Sequence, residues 1–247
     1  MNRPGNGPLA RRLRLATMPA PPGVRGPSFR LWLGEGLRVV PPLRRTDPAP
    51  PAAQRHRVVL FPGFAAHPVT MRRLRRALEE AGHEVSDWGE GWNLGPTAEL
   101  IERQEAMLRG VAGAAGGKVT LVGWSLGGII ARELAHRLPD QVAGVITMGT
   151  PFSGDRHANN AWRTYHLVTG HDVTDPPVKS DFAKKPPVPT IALWSPRDGI
   201  VAPRCARGKP HERDRAIGLR CTHFGFSADP QAIATVLDLL DGGHDWA

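Results

Sequence analysis

Val122-Gly123-Trp124-Ser125-Leu126-Gly127-Gly128 is the stretch that decides how this chain is read. An apolar, β-like run (Val119, Leu121, Val122) leads into it. Leu126, Ile129, Ile130, Leu134 and Leu138 follow at helical spacing. Gly-x-Ser-x-Gly between a strand and a helix puts the serine on a turn too tight for flanking side chains, with its hydroxyl projected outward as a nucleophile. The five letters alone are common, because a helix-capping serine in a glycine-rich loop has the same pattern. The buried strand before it and the amphipathic helix after it give it meaning.

Outward from this turn the chain alternates. Arg57-Val58-Val59-Leu60-Phe61 reads as a buried strand ending at Pro62-Gly63. Leu74, Ala77, Leu78 and Ala81 mark one apolar helix face, stopped by Gly82. Residues 83–88 read as a strand, 97–111 as a helix, and 142–148 and 190–194 as strands. Residues 216–220 read as a weaker strand. Ile233, Val236, Leu237 and Leu240 make a last helix, opened by Asp229-Pro230. Short strands alternating with helices predict an α/β fold: a mostly parallel central sheet with helices on both faces. Residues 152–188 break the alternation. They are polar and proline-rich, and are expected to form a small lid-like or substrate-loop insertion.

In such a sheet, functional groups gather at the carboxyl ends of the strands. A serine hydroxyl needs a base, and the base needs an acid to fix its tautomer. On this kind of turn the chain order is serine, acid, histidine. Asp198, in Ser195-Pro196-Arg197-Asp198-Gly199 after the 190–194 strand, is the favoured acid, and Asp155 is its rival. His211, His223 and His244 follow Asp198. His211 sits in a basic loop and His244 in the tail, so His223 is the expected base. The amides of Leu126 and Phe64 are the expected oxyanion donors, because Gly63 lets that loop come close.

These pieces together resemble the α/β-hydrolase superfamily, and within it the bacterial lipase- and esterase-like members. The resemblance spans about residues 57–240. It is carried by Phe61-Pro62-Gly63-Phe64, Gly123-Trp124-Ser125-Leu126-Gly127-Gly128, Gly149-Thr150-Pro151-Phe152, Ser195-Pro196-Arg197-Asp198-Gly199-Ile200-Val201 and Thr222-His223-Phe224-Gly225. It implies the α/β-hydrolase fold and a triad of Ser125, Asp198 and His223. It also implies a cofactor-free serine hydrolase that cleaves carboxylic esters. Many lipases have His-Gly where this chain has Pro62-Gly63, and the 152–188 insertion is short and polar. Both differences favour simple ester hydrolysis over triglyceride cleavage.

Trp124, Phe152 and Phe224 are the aromatic residues expected to bind substrate, which favours a small-molecule ester with an apolar acyl or alcohol group. An acyltransferase or thioesterase on the same triad, and a non-catalytic binding protein of this fold, are the competing readings. The 247 residues contain two cysteines, Cys205 and Cys221. They flank the loop between Asp198 and His223 and are expected to be reduced rather than joined. No Cys/His cluster has zinc spacing, so no metal is expected.

The net charge of +9 is unevenly placed. Residues 1–50 hold nine arginines against Glu35 and Asp47, together with ten prolines. This segment reads as a basic leader, partly docked through Phe29-Arg30-Leu31-Trp32-Leu33, and residues 51–247 read as the α/β-hydrolase domain. The folded part carries little excess charge, which argues against nucleic acid as a partner. The leader is compatible with weak contact to anionic membrane surfaces. No signal-type apolar region and no run of 18 apolar residues occurs, and the expected location is cytoplasmic.

Overall fold

The computed structural model describes residues 7–37, 51–113 and 117–242. Six strands form one sheet: β1 (Arg57–Phe61), β2 (Glu84–Asp87), β3 (Val119–Trp124), β4 (Val142–Met148), β5 (Thr190–Trp194) and β6 (Arg215–Gly218). Their order is β2-β1-β3-β4-β5-β6, and each neighbouring pair is parallel. The chain moves outward in one direction from β1 to β2, then returns and fills the other side from β3 onward. The reversal lies between β1 and β3, where an open parallel sheet leaves a crevice at its carboxyl edge. Phe61 pairs with Gly123 there, so the loop after β1 and the turn carrying Ser125 start side by side.

Side chains alternate between the two faces. Val58 and Leu60 pack on one side with Leu74 and Leu78 of α3 (Arg72–Glu80), and with Ile233 and Val236 of α8 (Pro230–Leu240). Val59 and Phe61 pack on the other. They meet Ile101 and Leu108 of α4 (Ala98–Gly113) and Ile130 and Leu134 of α5 (Leu126–Arg137). Covering both faces explains why β3 and β4 are buried throughout and mostly apolar. Truncating a fully buried residue such as Leu134 to alanine would cost roughly 2–5 kcal/mol. The arginine run of α3 faces solvent, where Arg75–Glu79 and Arg76–Glu80 pair across one helical turn.

The insertion is less irregular than its sequence suggests. It contains α6 (Trp162–Thr169), because Trp162, Tyr165 and His166 fall at i, i+3 and i+4 and turn inward. A short helix, α7 (Pro203–Arg207), precedes β6. The N-terminal segment forms α1 (Pro8–Ala16) and α2 (Phe29–Leu37). α1 buries no residue of its own and lies against α6. His244 and Gly243 lie outside the described residues. Among the described residues, no helix is long and apolar enough to cross a membrane.

Candidate active site

Ser125 stands between β3 and α5 with φ 54° and ψ −122°. Among the described residues, only it and Ala65 (φ 51°), in the loop after β1, have positive φ without being glycine. Such a conformation is strained and persists only where its surroundings enforce it. Here the Ser125 amide donates to the Met148 carbonyl at 2.8 Å. The glycines permit the turn: a Cβ on Gly123 would strike Gly128, and one on Gly127 would strike the Phe61 carbonyl. The serine also sits at the N-terminus of a 12-residue helix, where the dipole favours developing negative charge.

The carboxyl ends of the later strands supply the rest. Asp198 is fully buried, and its Oδ2 lies 2.8 Å from His223 Nδ1. Its Oδ1 accepts from the amides of Ile200 and Val201, each at 2.8 Å. A carboxylate only accepts, so His223 carries its proton on Nδ1 and leaves Nε2 as the basic nitrogen. Ser195 Oγ donates to the Cys221 carbonyl at 2.6 Å, joining the two loops that carry acid and base. Trp124, directly before Ser125, donates its indole N–H to the His223 carbonyl at 3.0 Å, and the two rings lie 5.7 Å apart. The serine turn and the histidine loop are thus clamped together. Asp155, the rival acid, instead bonds His157 at the surface. His211 is exposed.

Ser125 and Leu126 line an open, mostly apolar cavity together with Phe64, and neither the Phe64 nor the Leu126 amide has a backbone partner among the described residues. The insertion provides much of the remaining wall through Arg156, Trp162, Tyr165, Val173 and Phe182. The Phe64 and Tyr165 rings meet at 5.4 Å, so the loop after β1 touches the insertion directly. Arg156 braces the wall: it donates to the carbonyls of Val173 and Ser180 and lies over the Phe182 ring at 4.7 Å. Burial lowers its pKa. Arg132 of α5 anchors the far end of the insertion through the carbonyls of Phe182 and Lys184. Burial pushes its guanidinium down to about 10.

The three aromatics expected from sequence to bind substrate do not line this cavity. Trp124 points into the core and serves the His223 loop. Phe152 is buried beneath the Arg132 guanidinium, 4.2 Å from its ring. Phe224 lies on the outer surface, edge-on to Trp124. Ile129, Trp162, Tyr165, Phe182 and Val201 line it instead. Ile129, one helical turn after Ser125, could have been read from helical spacing, as could Trp162 and Tyr165 of α6; Val173 and Phe182 carry no such signal. Cys205 and Cys221 are both buried and free, and lie in different apolar clusters. Burial raises the pKa of each thiol.

Comparison with known proteins agrees with this architecture. A family model described as "alpha/beta hydrolase fold" matches residues 98–175, the span from α4 through the elbow to α6. The biotin biosynthesis bifunctional protein BioHC of Teredinibacter turnerae is 48% identical over 46 residues, covering 19% of this chain and 8% of that protein. The match thus spans less than a tenth of that relative's length. Among solved structures, the monoacylglycerol lipase of Paleococcus ferrophilus superposes with a TM-score of 0.55 at 18% identity, covering 79% of this chain and 97% of that one. Polyneuridine aldehyde esterase gives a TM-score of 0.51 at 14% identity, covering 74% and 98%. At such identities the likeness is one of fold. With its parallel sheet and strained serine turn, the chain has the α/β-hydrolase fold, and its residues 98–175 match the model of that family.

Proposed function

We propose that the protein is a serine hydrolase acting on small carboxylic esters with an apolar acyl or alcohol group. The observation that carries this reading is the buried Asp198–His223 pair, clamped through Trp124 to a strained Ser125 that opens onto an apolar cavity. In this scheme Ser125 Oγ attacks the ester carbonyl while His223 Nε2 takes its proton. The Phe64 and Leu126 amides stabilise the oxyanion, each donor being worth several kcal/mol in such sites. His223 then protonates the departing alcohol, leaving an acyl-enzyme. Water, deprotonated by the same nitrogen, releases the carboxylic acid and restores the serine. Every proton is carried by His223, so the scheme needs neither metal nor cofactor.

The test is a panel of p-nitrophenyl esters of increasing chain length, combined with labelling by a fluorophosphonate probe. Hydrolysis and labelling are expected in the unmodified protein, and both are lost in Ser125→Ala. Full activity in that variant would sink the reading. Adding competing alcohols and analysing products separates hydrolysis from acyl transfer on the same residues.

A further inference from the structure

Glu35 belongs to the arginine- and proline-rich N-terminal segment, yet it is only 2% exposed. Among the described residues no cationic side chain pairs with it. Its partners are three backbone amides. Oε1 accepts from Gly199 at 2.8 Å and from His223 at 2.7 Å, and Oε2 accepts from Phe224 at 3.2 Å. Gly199 directly follows Asp198, and His223 is the base itself. One carboxylate therefore bridges the loop after β5 and the loop after β6, behind the Asp198–His223 bond. Amides bound to an ionised acceptor make roughly twice the interaction of neutral pairs. The contact also explains the residue at 199, because a Cβ there would strike the Leu31 carbonyl of α2.

The same segment reaches the other wall of the site. His166 of α6 is fully buried; its Nε2 accepts from the Val173 amide at 3.0 Å, so its Nδ1 donates to the Leu15 carbonyl at 3.0 Å. Asn160 donates to both the Pro27 and Gly199 carbonyls. Arg204 donates to the Arg25 carbonyl at 2.7 Å. The segment thus runs as a strap from the insertion to the two catalytic loops, and Glu35 is its buried end.

We propose that Glu35 is a positioning residue for the reaction, holding the Asp198 and His223 loops at the spacing their hydrogen bond requires. This rests on the serine-hydrolase reading. Misplacing a catalytic group by about 1 Å can cost on the order of 100-fold in rate. Glu35→Ala leaves three amides without their acceptor. It lowers kcat by about 10- to 100-fold with KM within about twofold, since the cavity wall is untouched. Glu35→Gln keeps one acceptor oxygen for Gly199 and His223 and restores most of the rate. Hydrogen exchange at the Gly199 and His223 amides speeds up in Glu35→Ala and returns toward the unmodified rate in Glu35→Gln. A folded Glu35→Ala protein with unmodified kcat, or one that changes KM alone, overturns the assignment. If Glu35→Ala does not fold, Glu35→Asp decides: its carboxylate is one methylene short of spanning both loops, and kcat falls about tenfold. An unmodified kcat there overturns the assignment as well. Failure of the serine-hydrolase reading looks different, because the unmodified protein itself then neither cleaves esters nor takes the probe. Exchange at the two amides still decides, and equal rates in unmodified protein and Glu35→Asp overturn the positioning role.

Discussion

His223 and His83 sit at opposite edges of one parallel sheet, both nearly inaccessible to water, and they are built differently. His223, beyond the carboxyl ends of the strands, has a buried carboxylate on Nδ1. His83 stands at the amino end of β2, next to His56 before β1, with the rings 5.7 Å apart. Its Nδ1 accepts the His56 amide at 3.2 Å, which places its proton on Nε2, and that nitrogen has no hydrogen-bond partner among the described residues. Burial alone therefore says nothing about catalysis. What distinguishes the candidate site is a buried carboxylate on the histidine and a serine on a strained turn, clamped to the histidine loop through Trp124. At the amino edge, neither His56 nor His83 is hydrogen-bonded to a carboxylate among the described residues, and no strained serine turn lies beside them.

The largest effects are expected at the carboxyl edge. Ser125→Ala removes the nucleophile and is expected to lower kcat for p-nitrophenyl esters by roughly four to six orders of magnitude, leaving what the oxyanion donors and binding supply. Asp198→Asn keeps the shape but offers His223 an N–H where it now meets an acceptor. The imidazole then turns its proton toward Ser125, and a loss of about 10³- to 10⁴-fold is expected. Steady-state kinetics on both variants, with circular dichroism to confirm folding, checks these values. If His83→Asn cost as much activity as either, the contrast between the two edges would collapse.

A smaller effect is expected at the cavity wall. Trp162→Ala enlarges the space facing Ser125 without touching acid or base. The ratio of kcat/KM for long over short acyl chains should rise about tenfold, within the discrimination that one hydrophobic contact provides. An unchanged chain-length profile would mean that this wall does not hold the acyl group.

The parts of the carboxyl edge differed in how far they could be read from sequence. The meeting of Asp198 with His223, and the turn that carries Ser125, were legible because such groups follow a fixed order and because strand ends in an alternating pattern limit where partners fall. The strand pattern was legible to within a residue or two, as at β6, where Arg215–Gly218 replaces the expected 216–220. The cavity wall was not legible. Trp124, Phe152 and Phe224 flank the right motifs, but which face a loop side chain takes is set by packing that no local spacing encodes. Glu35 was hidden for a similar reason. It lies in a segment whose composition suggests no core of its own, and its partners are backbone amides 164 and 188 residues away. Long-range contacts of this kind leave no period in the chain.

The smallest predicted effect isolates the amino edge. Burial lowers the pKa of both His56 and His83 below the ordinary 6.5, and for His83 the neighbouring His56 lowers it further. The Asp241 carboxylate pulls both the other way but does not outweigh burial. A histidine that resists protonation when folded takes up protons first in the unfolded chain. Its stabilising contribution is therefore complete above about pH 6.5 and is lost as the pH falls below it, toward the lowered folded values. Melting temperature should be flat between pH 8 and 7 from this source and decline between about pH 6.5 and 5. His83→Asn retains an acceptor near the position of Nδ1 for the His56 amide and removes a titrating ring, so it should flatten part of that decline while leaving ester kinetics at pH 8 unchanged. A decline of the same slope in His83→Asn would place the acid sensitivity elsewhere in the protein. A loss of activity in the same variant would show that the two edges of the sheet are coupled.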